Sequence, residues 1–227
     1  INFKAMKGQT IGVIGGTGSG KSSLVNLIPR LYDATQGEVL VDGVNVKDYD
    51  IEALRNKVGI VMQKAVLFKG TIRENMWMGK KGATDEQIDE ALEISQSKEF
   101  VDSKQGRLDY VIEQGGKNLS GGQRQRLTIA RAIVRKPDVL ILDDSASALD
   151  FATDAALRKA IRGMNNSPTV FIVSQRAASL MYADLIIVLD DGQVAGMGTH
   201  DELLANCEVY KAVSYTHLRA HETRGNL

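Results

Sequence analysis

The sequence predicts an α/β fold, with a parallel sheet at its core, an antiparallel β portion and an inserted α-helical subdomain. Apolar runs at residues 10–14, Val139–Asp143 and Thr169–Ser174 are short and bounded by turn residues. Their continuous apolar texture is that of parallel strands buried on both faces. Segments with helical spacing separate the later runs, which is the alternation that builds a parallel sheet. Between residues 71 and 135 strand signals thin out and amphipathic helices take over.

Each element follows from local chemistry. Residues 1–7 read as the end of a strand entering a turn at Gly8, so the chain is expected to start inside a fold. Residues 10–14 form the first buried strand and stop at glycines; a helix is expected over 21–31, and strands over 37–41 and 58–62. Residues 84–95 have helix spacing, with Asp85 and Glu86 near the start, where acidic side chains complement the helix dipole. A second amphipathic helix covers 122–135 and ends before Pro137. Strands return at Val139–Asp143, Thr169–Ser174 and Leu185–Asp190, with helices expected at 153–162 and 176–182. Gly192, after Asp190 and Asp191, marks a hairpin turn and hence the antiparallel portion. The expected organisation is a core from 1–70 and 136–212, with a helical subdomain at 71–135.

The 227 residues suit one domain with a subdomain. Hydrophobic residues make up 43% and charged residues 25%, enough to bury a sizeable core. The 28 Lys and Arg balance the 28 Asp and Glu. That neutrality leaves no basic footprint for nucleic acid or an anionic membrane, while allowing a local site for phosphates. A single cysteine, Cys207, excludes an internal disulfide and fits a reducing, cytosolic compartment. No apolar run approaches the length of a membrane span, and no signal peptide is expected before the first strand. Residues 213–227 have another texture, with no clean period and with His217 and His221. They resemble a translated sequencing adapter and are expected to be a non-native tail.

The chemistry concentrates at Gly15-Gly16-Thr17-Gly18-Ser19-Gly20-Lys21-Ser22, which satisfies G-x-x-x-x-G-K-[ST] between a buried strand and a helix. Glycines let successive backbone N–H groups turn toward one phosphate, and the helix N-terminus adds its positive end. Lys21 supplies a point charge for the β- and γ-phosphates of ATP, and Ser22 offers a hydroxyl to Mg²⁺. Ser23 completes the phosphate-binding stretch. The second half of such a site is a buried strand ending in a carboxylate, which Val139–Asp143 provides. Asp143 is expected to hold Mg²⁺ through water, at the strand end where α/β sheets bind ligands.

Leu119-Ser120-Gly121-Gly122-Gln123, followed by Arg124-Gln125-Arg126, places a second glycine-rich start before a long helix, again suited to an anion. This stretch resembles the signature motif of ABC ATPases, and the resemblance extends from Ile1 to about Ala212. It implies a RecA-like P-loop core and a head-to-tail dimer, in which each signature closes on the ATP held by the other chain. It also implies that Gln63 is the Q-loop glutamine that reaches Mg²⁺ and the attacking water. Leu67-Phe68 and Thr71-Ile72-Arg73-Glu74-Asn75 resemble the exporter form of that loop. Ser147-Ala148-Leu149-Asp150 looks like the D-loop that crosses the dimer, and residues 198–204 resemble a common stretch near the family's C-terminal end. The family's adenine-stacking aromatic is expected upstream of Ile1.

Two positions depart from the family pattern. After the Mg²⁺ aspartate the family usually has a glutamate as general base, and this chain has Asp144, one methylene shorter. Where the family usually has a switch histidine, it has Gln175, which donates a hydrogen bond but carries no charge. Both affect one half-site, while Ser120–Gln123 looks intact. That combination resembles the degenerate-site half of a heterodimeric ABC exporter. The resemblance therefore implies an ATPase whose own site is slow. Its partners would be a second nucleotide-binding domain, a different chain in preference to a copy in a slow but working homodimer, and a transmembrane domain of the same parent chain, with no nucleic acid. Its place would be the cytoplasmic face of the plasma membrane. The competing readings are a soluble ABC ATPase of DNA maintenance or translation, marked by heptad arms or a second cassette, and an ATP-gated regulatory module.

Overall fold

The computed structural model describes residues 1–145 and 148–214. Ser147 of the D-loop-like stretch and the tail from residue 215 lie outside the described residues. In chain order the elements are β1 (Thr10–Gly15), α1 (Lys21–Asn26), β2 (Leu40–Val41), β3 (Val44–Asn45), α2 (Ile51–Lys57), β4 (Val58–Val61), β5 (Gly70–Thr71), α3 (Ile72–Trp77), α4 (Asp85–Ile94) and α5 (Lys98–Asp102). They continue with β6 (Val111–Ile112), α6 (Gly121–Ile133), β7 (Val139–Asp143), α7 (Phe151–Arg162), β8 (Thr169–Ser174), β9 (Leu185–Asp190), β10 (Gln193–Gly198) and α8 (His200–Asn206). Two compact units form among the described residues, one from Ile1–Arg55 together with those from Thr169 to 214, the other from those of Asn56–Pro168.

In the first unit β1 lies between β8 and β9 and is parallel to both. All six of its residues are buried, as are all six of β8, so both strands are apolar on both faces. The register pairs Ile14 with Ser174 and Gly15 with Leu189, so three strand ends finish level with one another. β10 returns antiparallel along β9 through the expected hairpin at Asp191 and Gly192, with a register irregularity between Val194 and Gly196. α8 starts with a capping box between Thr199 and Glu202. Beyond it the fully buried Tyr210 meets His200 Nδ1 at 2.8 Å. Burial pushes the Tyr210 phenol up to about 12, so it stays protonated at that contact.

In the second unit β4 and β7 pair in parallel, from Val58 opposite Val139 to Val61 opposite Leu142. The helices around them begin on reciprocal caps: Thr71 with Glu74 for α3, Thr84 with Gln87 for α4, and Ser120 with Gln123 for α6. The fully buried Asn75 staples the loop before α3. Its Oδ1 accepts from Phe68 N at 3.0 Å, and its Nδ2 donates to Phe68 O and Thr71 O, each at 3.0 Å. Asn75→Ala would leave those backbone groups without these bonds. It is expected to cost about 2 kcal/mol, read as a lower midpoint in urea unfolding with an unchanged slope.

The outline follows the sequence expectations, with local differences that have physical causes. The helix expected over 21–31 stops at Asn26 because Pro29 has no N–H for the next helical bond and disfavours helical backbone at Ile28. Of 37–41 only Leu40–Val41 finds a ladder partner, and residues 1–7 form no strand. The helix expected at 176–182 is a single 3-10 turn at Ala177–Ser179. Asp184 is tied back to Thr10 by two bonds, N→O at 2.8 Å and Oδ2←N at 2.7 Å, and this leaves the chain too short for a helix before β9. A two-residue ladder, β5 with β6, lies inside the stretch read as helical. Among the described residues no helix is long and apolar enough to cross a membrane.

Candidate functional site

In the first unit the chain leaves β1 at Gly15 and turns through the exposed Gly16, Thr17 and Gly18 into α1. Gly18 and Gly20 have φ of +81° and +92°, the left-handed region that a side chain would disfavour. A Cβ on Gly16 or Gly18 would meet nothing within 4 Å, so the loop is an open cradle. Gly15 is needed for the opposite reason: a Cβ there would lie 2.2 Å from Leu189 O and 2.5 Å from Ser19 Oγ. Lys21 Nζ folds back over the loop and donates to Gly15 O at 2.8 Å and Gly16 O at 2.6 Å. The ammonium therefore stands at the cradle. The Ser19 hydroxyl is buried with no hydrogen-bond partner, an open polar position in the loop. Ser22 and Ser23 are exposed in the first turn of α1, whose N-cap, Gly20, supplies no side-chain acceptor. First-turn amides, a lysine and free hydroxyls suit a polyphosphate and its divalent cation. The short α1 leaves local amides rather than a long helix dipole to attract the anion. Gln175, exposed, directly follows the end of β8, level with Gly15 by register.

In the second unit Asp143 ends β7 and is buried. Asp144 follows in left-handed backbone, φ 46°. Gln63, two residues beyond β4, donates from Nε2 to Asp144 Oδ2 at 3.2 Å. Register brings these residues together: one step past Val61 and Leu142 lie Met62 and Asp143, and the next step places Gln63 beside Asp144.

The second glycine-rich start is built as a cap. Ser120 Oγ accepts from Gln123 N at 3.2 Å, and Gln123 Oε1 accepts from Ser120 N at 3.1 Å. Gly121 is exposed, and a Cβ on Gly122 would come within 3.4 Å of Ala148 O, so the D-loop-like stretch passes close to it. Asp150 caps α7, with Oδ1 accepting from Thr153 N at 2.9 Å and Oδ2 from Thr153 Oγ1 at 2.7 Å. The Thr153 backbone and hydroxyl bonds hold its carboxyl below the usual range. Arg124 has a role that sequence reasoning missed: its Nη1 donates to Leu119 O at 2.7 Å and Gly116 O at 3.3 Å, pinning the approach to Ser120. The pair Gly115-Gly116 was its available signal, because a Cβ on Gly116 would lie 2.7 Å from Arg124 Cδ.

A phosphate loop that leaves a buried strand with parallel neighbours on both sides and enters a helix defines a P-loop nucleotide-binding class. The ABC transporter family model matches residues 1–147, and this chain belongs to the ABC transporter family. It is 44% identical over 213 residues to an uncharacterised ABC transporter ATP-binding protein of Mycobacterium bovis, covering 92% of this chain and 36% of that protein. It is 40% identical over 211 residues to a Staphylococcus aureus protein named as a proposed multidrug export ATP-binding/permease protein, covering 93% of this chain and 36% of that one. A solved bacterial Atm1-family ABC exporter with ATP bound matches with a TM-score of 0.88 and 32% identity, over 93% of this chain and 37% of that chain. The fold is thus the RecA-like fold of ABC ATPases, a family of ATP-hydrolysing domains, and its relatives include exporter proteins. The chain spans little more than a third of the length of these relatives, 36% and 37%.

Proposed function

We propose that this chain is the ATP-driven motor of an exporter, in which it binds Mg-ATP and closes head-to-tail on a second nucleotide-binding domain. A transmembrane part of the same parent polypeptide would turn that closure into substrate export, with the motor at the cytoplasmic face of the plasma membrane. The observation that carries this reading is the phosphate loop. Its open cradle, the Lys21 ammonium over it and the unpartnered Ser19 hydroxyl fit a polyphosphate. The organisation belongs to the same proposal, with a P-loop core of 1–70 and 136–212 around a helical subdomain at 71–135. The exporter assignment draws on the relatives.

The residues divide the work. Gly15 to Ser23 hold the phosphates, and Lys21 stabilises charge on the β- and γ-phosphates as the terminal bond breaks. Ser22, Asp143 and Gln63 would hold Mg²⁺, which would offset the negative charge of the phosphates. Asp144 takes the proton of the attacking water, and Gln175 donates a hydrogen bond toward the γ-phosphate. Ser120, Gly121, Gly122 and Gln123, with Asp150 near them, present the exposed start of α6 to the partner's nucleotide.

Turnover at this chain's own loop is slow. The Asp144 carboxylate stops about one bond short of a glutamate's reach, and a misplacement of ~1 Å costs on the order of a hundredfold in rate. Gln175 supplies no proton and no charge. The signature then serves a competent site on a different chain. The double variant Asp144→Glu plus Gln175→His is expected to raise steady-state Mg-ATP hydrolysis by about ten- to a hundredfold. Equal rates for parent and double variant would show that Asp144 and Gln175 suffice, and would replace this reading with a competent homodimeric motor.

A further inference from the structure

We propose that Gln63 is a positioning residue for Asp144: its carboxamide holds the Asp144 carboxylate in place from the end of the neighbouring strand. This rests on the reading of Asp144 as the group that accepts the water's proton. The contact is set by the sheet. β4 and β7 run parallel with Val61 opposite Leu142, so the chain arrives at Gln63 and Asp144 in step. Asp144 leaves β7 in left-handed backbone, φ 46°, an uncommon conformation for a residue with a side chain. That backbone aims a short side chain, and the Gln63 Nε2–H donates to its Oδ2 at 3.2 Å.

The two ends of the carboxamide differ in chemistry. Nε2 is a donor only and is committed to the carboxylate, whereas Oε1 is an acceptor and is the end able to face a cation or water. One side chain can therefore orient the proton acceptor with its nitrogen while offering its oxygen to Mg²⁺. The two roles separate in Gln63→Glu, which keeps oxygen ligands for a cation but replaces the donor with a second anion beside Asp144.

Two readouts test the pairing in the 227-residue chain. In ¹⁵N spectra of the nucleotide-free protein, the Gln63 side-chain amide is assigned by its loss in Gln63→Leu. It is expected to shift, and its protons to exchange faster, in Asp144→Ala. A Gln63 amide signal that stays within its linewidth in Asp144→Ala overturns the proposal. In single-turnover hydrolysis, Gln63→Glu is expected to lower the rate at saturating Mg²⁺ at least tenfold, on the scale of a ~1 Å misplacement, without raising the Mg²⁺ concentration needed for half-maximal rate. A loss that extra Mg²⁺ restores would assign Gln63 to the metal alone and overturn the positioning role. A Gln63 signal that responds to Asp144 in a chain whose hydrolysis ignores both Asp144→Ala and Lys21→Ala would instead overturn the catalytic reading of the site itself.

Discussion

Lys21→Ala lowers kcat/KM for Mg-ATP hydrolysis by roughly a hundred- to a thousandfold, the scale of one preorganised charge-stabilising donor. The side chain is the cation whose Nζ rests on the carbonyls of Gly15 and Gly16, at 2.8 and 2.6 Å. Those bonds are a holding position, since both acceptors are backbone of the loop that a bound phosphate would occupy. Its loss removes the charge while leaving the loop backbone, because β1 and its neighbours are buried independently of it. The fold should therefore persist, with an unchanged far-ultraviolet circular dichroism spectrum and a melting temperature near the parent's. The Asp144→Glu plus Gln175→His background gives the widest range for this measurement. A Lys21→Ala rate within a factor of a few of its background would mean that hydrolysis does not pass through this loop.

Gly15→Ala has its largest effect on stability. The added Cβ would sit 2.2 Å from Leu189 O and 2.5 Å from Ser19 Oγ, distances that no side-chain rotation relieves because one of the atoms is backbone. Either β1 and β9 must move apart or the loop must shift. Overpacking of this kind costs about 3 kcal/mol, which for a chain of this size lowers the melting temperature by roughly 10 °C. ATP affinity falls with it, since the cradle hangs from the same residue. The Gly16→Ala control, where a Cβ meets nothing within 4 Å, should melt close to the parent. Equal melting for Gly15→Ala and the parent would refute the close approach of Leu189.

What was legible in the sequence was what neighbouring residues decide together. The phosphate loop is contiguous, and its strand and helix flank it directly, so Gly15 to Ser22 could be read as one device. The run Val139–Asp143 is apolar throughout because it is buried, and its terminal carboxylate stood out for that reason. The Ser120–Gln123 start is a Ser-x-x-Gln capping box, which the structure shows closed in both directions. The same pattern at Thr71–Glu74, Thr84–Gln87 and Thr199–Glu202 marked three more helix starts that could have been placed to the residue.

What was not legible depended on distant partners. Gln63 and Asp144 are 81 positions apart, and only the β4–β7 register makes them neighbours. The turn at Ala177–Ser179 replaced an expected helix because Asp184 is fixed to Thr10, a residue on another strand. Asn75 reads as an ordinary polar residue of a helix start, yet it is fully buried and supports the Phe68 backbone in both directions. The early end of α1 is a different case. Pro29 was visible in the sequence, and its effect on the preceding turn is local.

In the proposed function this chain holds Mg-ATP on its own phosphate loop. Isothermal titration of Mg-ATP into the 227-residue chain, beside Lys21→Ala, tests it most directly, because binding is read without turnover or partner. Saturable binding of one nucleotide per chain is expected, with affinity reduced at least tenfold in Lys21→Ala. Titration heats that are the same for both proteins, or no saturable binding to the parent, would contradict it.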